Sequence, residues 1–238
     1  MLYCLRLIVL LFWGMITSMI GLCISMIRPF HPNNSYLYSR IFAPIAAKIL
    51  GLSIKVFNQQ ILGQHRPAII VSNHQHNIDL IMGCYLIPPN TVSMGKKSMK
   101  YLPFFGQFYW LAGNILIDRF NREKAMDSMD KVKNEVIKNG VSIWIMPEGT
   151  RNKFNKLKKF KKGAFLTAIH AQVPIIPVAI STFHGHLNYN KLKSGNIFVE
   201  VLPPIPTKGL TNNDVRPLVN QVQKLLESKI ASLDLLLE

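Results

Sequence analysis

The sequence predicts an α/β fold, with a mixed, mostly parallel central sheet flanked by helices and an N-terminal hydrophobic helical hairpin. Short runs of β-branched and apolar residues alternate with stretches of helical periodicity. Several of these runs are apolar at every position, which is typical of strands that helices cover on both faces. In addition, the first 50 residues contain a long uncharged apolar segment followed by a second helical stretch.

Length and composition favour one globular domain with an N-terminal appendage. The chain has 238 residues, 49% of them hydrophobic, with 28 Lys plus Arg against 12 Asp plus Glu. This excludes intrinsic disorder, because enough apolar side chains are present to build a sizeable core. We expect residues 1–50 to form a membrane-associated helical hairpin and residues 51–238 to form the α/β domain. The three cysteines are too few and too scattered for a disulfide framework or a structural zinc site.

The first element is an uncharged apolar run, residues 7–27, bracketed by Arg6 and Arg28. As a helix it is about 31 Å long, which matches a hydrocarbon core of about 30 Å. The run is too long for an ordinary signal peptide, and no small-residue cleavage site follows it. One helical face carries small residues that predict close packing on a second helix at 34–50: Gly14, Ser18, Gly21 and Ser25. The sequence leaves open whether the hairpin spans the bilayer or lies in one leaflet.

The α/β part follows as seven predicted strands, each short, rich in β-branched residues and bounded by turn residues. They are residues 53–58, 67–73, 91–95, 114–118, 141–146, 174–181 and 196–202. Apolar residues at helical spacing predict helices between them at 77–87, 98–110, 121–139 and 160–171. A final helix is predicted from about residue 214, where the 3.6-residue apolar period favours core packing over membrane contact.

Positive charge is unevenly distributed along the chain. No acidic residue precedes Asp79, and residues 151–162 contain seven basic residues and no acidic one. Such a surface favours an anionic partner, for which nucleic acid, anionic lipid and a phosphorylated substrate all qualify. The apolar N-terminal run favours an anionic phospholipid membrane, and we expect no nucleic acid partner. A membrane-tethered basic binding module is an alternative that explains the charge but not the polar groups at the strand ends.

The residues that follow each strand are the first candidates for chemistry, because ligands of α/β sheets gather beyond the carboxyl ends of strands. The strand at 67–73 is followed by His74 and Asp79. Five residues apart, these side chains can meet across a strand-to-helix turn. A carboxylate would there orient the imidazole, which is suited to remove a proton from a hydroxyl at neutral pH. The alternative is a histidine that caps the helix or hydrogen-bonds in the core.

A Glu-Gly-Thr-Arg group at 148–151 follows the strand at 141–146 and favours a phosphate-binding site. Glycine lets the backbone approach a ligand, threonine offers a hydroxyl, and arginine presents a planar fork that suits phosphate oxygens. The alternative is a helix cap with a surface arginine. Arg119, after the strand at 114–118, is either a second phosphate or carboxylate ligand or the ion-pair partner of Asp118 or Glu123. Lys96 and Lys97, after the strand at 91–95, are either phosphate ligands or solvated surface charges.

A metal site is not expected at the two His-x-His pairs, residues 74–76 and 184–186. Although Asp79 lies near the first pair, no cysteine or carboxylate cluster completes a ligand set. A nucleophilic mechanism is not favoured either, since the sequence has no G-x-S-x-G elbow and none of its cysteines accompanies the His/Asp pair.

Four motifs in order along the chain resemble the sequence blocks of the glycerolipid acyltransferases. Asn73-His74-Gln75 with Asp79 resembles their N-H-x-x-x-x-D block. The other three blocks are matched by residues 113–119, 147–151 and 173–178. The resemblance also includes residues 95–98, 103–107 and 110–114, and it extends to the C-terminal helix, so it covers nearly the whole chain.

The resemblance implies transfer of a fatty acyl group from an acyl carrier protein or coenzyme A thioester to the free hydroxyl of lysophosphatidic acid, giving phosphatidic acid. It implies that His74 is the general base and Asp79 its partner. It implies glycerol phosphate binding by Arg119, Glu148, Gly149, Thr150 and Arg151. It assigns a hydrophobic segment to the acyl side: Pro174, Ile175, Ile176, Pro177 and Val178.

The resemblance also implies no metal, no covalent enzyme intermediate and no permanently bound cofactor. It places the protein at the bacterial inner membrane with its active site on the cytoplasmic side. Two departures are Met146, where phenylalanine is usual, and His76, where serine or asparagine is commoner. The choice of His74 over His76 as the base therefore depends on the motif. A related acyltransferase that uses glycerol-3-phosphate or another lysophospholipid is the alternative.

Overall fold

A computed structural model of the chain describes residues 1–118, 133–151, 157–183 and 185–237. The helices are α1 (Leu2–Ile27), α2 (Asn33–Leu50), α3 (Ile61–Gln64), α4 (Asp79–Leu86), α5 (Phe105–Leu111), α6 (helical over the described residues 133–139), α7 (Gly163–Ala171) and α8 (Val215–Asp234). The strands are β1 (Leu52–Phe57), β2 (Ile69–Ser72), β3 (Thr91–Lys96), β4 (Ile115–Ile117), β5 (Ser142–Ile145), β6 (Ile175–Ile180) and β7 (Gly195–Val201). Short 3₁₀ helices lie at Lys97–Tyr101, Asn212–Asp214 and Leu235–Leu237.

The seven strands form one mixed sheet in the order β1-β7-β6-β2-β5-β3-β4. All neighbouring pairs are parallel except β6 and β7. This confirms the predicted fold class, and every predicted strand is present. Because β6, β2, β5, β3 and β4 run in the same direction, their carboxyl ends share one edge of the sheet, which we call the carboxyl edge. Apart from the acyl-side segment at 174–178, the predicted site residues that the structure describes lie at or beyond the carboxyl ends of these strands, and therefore at this edge.

Helices cover both faces of the sheet, which explains why the central strands are apolar throughout. On one face, α7 and α8 bury side chains such as Phe165 and Val222 against the sheet. The apolar stripe of α8 is therefore core packing, as its period predicts. On the other face, α2, α4 and α5 bury Phe42, Met82 and Phe108. The helical hairpin thus contributes directly to the core of the α/β sheet.

The predicted helix at 98–110 is divided in the structure into a 3₁₀ helix and α5. Pro103 interrupts it, because proline cannot donate a backbone hydrogen bond. Phe104 then adopts a φ of 59°, and the Phe105 N–H donates to the Pro103 carbonyl at 2.6 Å. Of the predicted helix at 121–139, residues 133–139 are helical, and the rest lies outside the described residues. The short helix α3 was not predicted.

The small-residue face of α1 packs closely, but on two helices rather than one. Gly14 faces Phe42 of α2, as predicted, and a Cβ added there would lie 3.8 Å from the Phe42 ring. Gly21 packs on α5, where a Cβ would lie only 2.8 Å from Phe108. The indole N–H of Trp13 donates to the Phe42 carbonyl at 3.1 Å. The absence of side chains at 14 and 21 therefore lets α1 approach both helices.

Arg6 has a role that the sequence does not reveal. Its guanidinium donates to three backbone carbonyls and to the Ser194 hydroxyl, at distances of 2.7 to 2.9 Å. The carbonyls belong to residues of the loop before β7: Tyr189, Lys191 and Leu192. Arg6 is thereby 7% exposed, although its position beside the apolar run predicts a charge flanking a membrane segment. This contact fixes the N-terminal end of α1 to the globular part of the chain.

The other face of α1 is apolar and exposed, with side chains that include Ile8, Leu11, Phe12, Met15, Ile16, Met19 and Ile20. By length and hydropathy, α1 is the one helix among the described residues that is suited to cross a membrane. Just beyond its C-terminal end, the Phe30 N–H donates to the Leu111 carbonyl at 2.7 Å, and the Phe30 ring packs edge-on against Trp110. The helix therefore lies along the domain and is attached to it at both ends.

Candidate active site

The carboxyl edge brings together the His/Asp pair after β2 and the Glu-Gly-Thr-Arg group after β5. β2 ends at Ser72 and α4 begins at Asp79, so the segment between them must turn sharply. This turn brings Nδ1 of His74 to 2.6 Å from Oδ2 of Asp79. The His74 side chain is 16% exposed and that of Asp79 is 1% exposed. The predicted encounter of imidazole and carboxylate is therefore present, with the imidazole reachable from solvent.

Asp79 is surrounded by hydrogen-bond donors from its own turn. Its Oδ2 also accepts from the backbone N–H groups of Gln75, at 2.5 Å, and His76, at 2.9 Å. As the first residue of α4, its carboxylate also lies at a helix N-terminus, where negative charge is stabilised. Since a carboxylate can only accept hydrogen bonds, the contact with Oδ2 of Asp79 assigns the proton to Nδ1 of His74. The other ring nitrogen, Nε2, is then the basic one.

The backbone on the N-terminal side of His74 is held by β6. The side-chain amide of Asn73 donates to the Ile180 carbonyl at 2.8 Å, and its oxygen accepts from the Ile180 N–H at 3.0 Å. Asn73 is 1% exposed, so both of its bonds are protected from water. These two hydrogen bonds fix the position of Asn73, the residue before His74, relative to Ile180, the last residue of β6.

The other neighbour of His74, Gln75, is held by the segment that follows β6. Its side-chain nitrogen donates to the carbonyls of Ile180, at 3.2 Å, and Ser181, at 3.0 Å. Its side-chain oxygen accepts from the Phe183 N–H at 3.2 Å. The sequence does not reveal this role of Gln75, because its partners lie more than 100 residues further along the chain.

Glu148 bridges the histidine loop to the basic segment that follows β5. Its Oε1 accepts from the His74 N–H at 2.6 Å, and its Oε2 accepts from the Lys158 N–H at 3.0 Å. The residue is 3% exposed. Burial raises the pKa of the Glu148 carboxyl, and the two backbone hydrogen bonds offset part of that rise. Each oxygen of Glu148 thus accepts a backbone N–H, and the side chain connects the histidine loop to the segment after β5. The role of Glu148 in glycerol phosphate binding that the resemblance implies stays a prediction.

Of the rest of the Glu-Gly-Thr-Arg group, Gly149 is buried, and Thr150 and Arg151 face solvent at the same edge. Gly149 has a φ of 72°, a left-handed conformation that favours glycine. The Lys158 ammonium donates to the Thr150 hydroxyl at 3.2 Å and to the Arg151 carbonyl at 2.8 Å. The group therefore offers positive charge and a hydroxyl beside the bridge that Glu148 makes to His74.

The other predicted phosphate ligands lie toward β3 and β4. Lys96 and Lys97 are exposed, and the Lys97 ammonium lies 3.5 Å from a carboxylate oxygen of Asp118. Lys97 directly follows β3 and Asp118 directly follows β4, so this ion pair joins the ends of two neighbouring strands. Arg119 lies outside the described residues, as does His184 of the second His-x-His pair.

The predicted acyl-side segment belongs to the core. Ile175, Ile176 and Val178 have 0% exposure and pack in the clusters on the two faces of the sheet. Pro177 is also buried, and Pro174 is half-buried before the strand. In the structure this segment therefore contributes to core packing, and it is the end of β6, at residue 180, that reaches the histidine loop.

Comparisons with known proteins show the family to which the chain is similar. A family model described as "Acyltransferase" matches residues 53–181. The chain is 39% identical to the 1-acyl-sn-glycerol-3-phosphate acyltransferase of Escherichia coli K12, over 98% of this chain and 95% of that protein. It is also 39% identical to the enzyme of that name from Haemophilus influenzae, over 98% and 97% of the two chains.

A solved structure shares the fold. It is the crystal structure of the 1-acyl-sn-glycerophosphate acyltransferase from Thermotoga maritima, with a TM-score of 0.74 over 98% of both chains. The two chains are 20% identical, so this likeness concerns the architecture alone.

Proposed function

The chain belongs to the acyltransferase family, and from this premise we propose that it transfers a fatty acyl group from an acyl thioester to the free hydroxyl of 1-acyl-glycerol-3-phosphate, giving phosphatidic acid. The names of its relatives support this acceptor. The observation that carries the proposal is the 2.6 Å contact between Nδ1 of His74 and Oδ2 of Asp79 at the carboxyl edge.

The proposed reaction is a direct transfer. Nε2 of His74 takes the proton of the acceptor hydroxyl as its oxygen attacks the thioester carbonyl. The C–S bond then breaks, and the thiolate leaves with the proton that the imidazolium returns. Asp79 keeps Nδ1 protonated and stabilises the imidazolium while it exists. The acyl group moves from sulfur to oxygen, so atoms and charges balance without a cofactor.

The donor is proposed to be a thioester of acyl carrier protein or of coenzyme A. Both carriers are anionic, and the segment after β5 offers complementary charge at the carboxyl edge. Its exposed lysines are Lys158, Lys159, Lys161 and Lys162. Phe160 is buried between them and stacks on Phe165, which fixes the segment to the core. Electrostatic attraction of this kind raises association rates and weakens as salt is added.

The acceptor phosphate is proposed to bind Arg151, and substitution of Arg151 tests that role. We expect Arg151→Ala to raise the KM for 1-acyl-glycerol-3-phosphate about 10- to 100-fold, since one charge-assisted hydrogen bond contributes about 1.5–3 kcal/mol. The KM for the acyl thioester should change much less. Steady-state kinetics with each substrate varied in turn measures both. Arg216→Ala is the matched control, because Arg216 is an exposed arginine on α8. An unchanged acceptor KM would remove Arg151 from the phosphate site.

We further propose that α1 lies in one leaflet, on the cytoplasmic side of the bacterial inner membrane, and does not cross the bilayer. Arg6 attaches the start of the helix to the loop before β7, and Phe30 attaches its end to α5. A helix attached to the domain at both ends lies parallel to it, so spanning the bilayer would draw the domain into the lipid. The exposed apolar face of α1 and the basic carboxyl edge both fit an anionic leaflet surface.

A charge on the exposed face of α1 should weaken membrane binding. We expect Phe12→Glu to lower binding to phosphatidylglycerol-containing vesicles at least about tenfold, because a buried phenylalanine contributes about 1.5–3 kcal/mol and a charge is unfavourable in lipid. Co-flotation with vesicles measures the bound fraction. Leu192→Glu is the control, since Leu192 is 82% exposed on the loop that holds Arg6. Equal binding by the wild type and Phe12→Glu would show that this face is not the lipid contact.

The proposed function is tested by an assay of the purified full chain with 1-acyl-glycerol-3-phosphate and an acyl thioester, with the product identified by mass. Phosphatidic acid and one equivalent of free thiol are expected. Glycerol-3-phosphate and a lysophospholipid with a larger head group are offered in parallel. Faster acylation of either would replace the proposed acceptor, and absence of any acylated product would overturn the activity.

A further inference from the structure

We propose that Asp234, the last residue of α8, is a positioning residue for the histidine loop, an inference that rests on the proposed function. A carboxylate at a helix C-terminus is electrostatically unfavourable, because the helix dipole presents partial negative charge there. The position therefore calls for a compensating contact. That contact is made to the segment that follows β6, which is the segment that holds Gln75.

Asp234 binds Thr182 through both of its oxygens. The Thr182 N–H donates to Oδ1 at 2.6 Å, and the Thr182 hydroxyl donates to Oδ2 at 2.6 Å. Thr182 is 5% exposed, so two donors that water reaches poorly depend on this one carboxylate. Charge-assisted bonds of this length are stronger than ordinary hydrogen bonds. Leu233, which is 2% exposed, anchors the same helical turn in the core.

Thr182 lies in the middle of the segment that holds the neighbours of His74. On one side of it, the carbonyls of Ile180 and Ser181 accept from Gln75. On the other side, the Phe183 N–H donates to the side-chain oxygen of Gln75. Residues 180–183 thus form a strap, attached to the histidine loop by Gln75 and to α8 by Asp234. Loss of the Asp234 contact frees Thr182 between the two points at which the strap holds Gln75.

This arrangement predicts an effect on turnover rather than on substrate binding. Catalytic geometry is sensitive to displacement, and a shift of about 1 Å caused far from the reacting atoms can lower a rate about 100-fold. The strap holds the backbone beside His74 and not the exposed basic groups after β5. We therefore expect Asp234→Asn to lower kcat about tenfold and Asp234→Ala somewhat more, with the KM of both substrates within about twofold of the wild type.

Thr182 provides a second pair of variants should Asp234 variants fail to fold. Thr182→Val keeps the side-chain shape but removes the hydroxyl donor to Oδ2, and we expect it to lower kcat about three- to tenfold. Thr182→Ser keeps the hydroxyl and is expected to retain near wild-type kcat. This rescue by serine separates a hydrogen-bond role from a packing role, since serine lacks the methyl group that packing would use.

Asp214→Ala is the matched control for the stability of α8. Asp214 lies at the opposite end of the helix, where its carboxylate accepts from the Thr211 N–H at 2.8 Å and the Thr211 hydroxyl at 2.9 Å. Loss of the Asp214 carboxylate should lower the Tm, because it weakens the start of α8, and should leave kcat unchanged. All variants are assayed as full chains in detergent, with kcat divided by the folded fraction from thermal unfolding.

The outcomes are distinct. A wild type that makes no phosphatidic acid overturns the proposed function. If the wild type is active and either Asp234→Asn or Thr182→Val keeps the wild-type kcat, the positioning role is overturned and the proposed function is not. If Asp214→Ala loses as much kcat as Asp234→Asn, the effect is one of helix stability, and the positioning role is overturned. If the Asp234 and Thr182 variants change only KM, the effect is one of substrate binding, and the positioning role is also overturned. A fall in kcat that Thr182→Ser does not show supports it.

Discussion

His74→Ala is expected to abolish acyl transfer, lowering kcat by at least about 10²- to 10⁴-fold, because the variant has no base to take the proton of the acceptor hydroxyl. The fold should persist. The imidazole is partly exposed, and the His74 N–H that binds Glu148 belongs to the backbone and remains in the variant. Membrane binding should also persist, since α1 does not depend on this side chain. The measurements are kcat, the Tm and vesicle co-flotation of the same preparation.

His76→Ala makes this result specific to one of the two neighbouring imidazoles. His76 is exposed and contributes its backbone N–H, not its ring, to Asp79. We therefore expect at most a few-fold change in kcat for His76→Ala. A His74→Ala variant that still makes phosphatidic acid at near wild-type rate would contradict the mechanism. An inactive His76→Ala beside an active His74→Ala would move the base to His76.

Asp79→Asn is expected to lower kcat by about 10²- to 10⁴-fold and to destabilise the fold by about 1–3 kcal/mol. Asn is the same size but uncharged, so it no longer stabilises the imidazolium. Oδ2 of Asp79 accepts from three donors, and Oδ1 is buried without a partner among the described residues. An amide that keeps its oxygen toward the three donors must therefore bury its NH₂ group unpaired, which accounts for the loss of stability.

The two effects of Asp79→Asn are separated by measuring kcat per folded molecule alongside the free energy of unfolding. Glu135→Gln, at a half-buried position on α6 where the carboxylate accepts from the Asn139 side chain at 2.8 Å, is the control for removing one negative charge. It should leave both quantities close to the wild type. An Asp79→Asn variant with unchanged kcat would show that the carboxylate is not needed to orient the base.

Strand positions and the His74–Asp79 pair could be predicted because their signals are local. β-branched runs and turn residues specify each strand, and one strand-to-helix turn joins the histidine to its carboxylate. The division of 98–110 is also locally encoded, since Pro103 marks it, but the apolar spacing around it resembles an uninterrupted helix.

The residues whose roles were missed have partners far along the chain. Glu148 meets the His74 backbone 74 residues away, Gln75 meets residues more than 100 positions away, and Arg6 meets Ser194 at a separation of 188. Hydropathy period and motif spacing contain no information about such pairs. The motif at 148–151 grouped Glu148 with the phosphate ligands, and its position beside the apolar run placed Arg6 at a membrane boundary. Only the packing of the sheet reveals the backbone groups that the Glu148 carboxylate and the Arg6 guanidinium bind.

The Arg6 contact also sets an order of events during synthesis. Every partner of its guanidinium lies 183 to 188 residues further along the chain, so α1 cannot reach its final position until the loop before β7 has left the ribosome. At about 5–20 residues per second, this interval is roughly 10 to 40 s. During this interval α2 and α5 are made and can cover the small-residue face of α1, but its opposite apolar face stays exposed. The nascent chain therefore needs lipid or a chaperone at its first segment long before it has an active site.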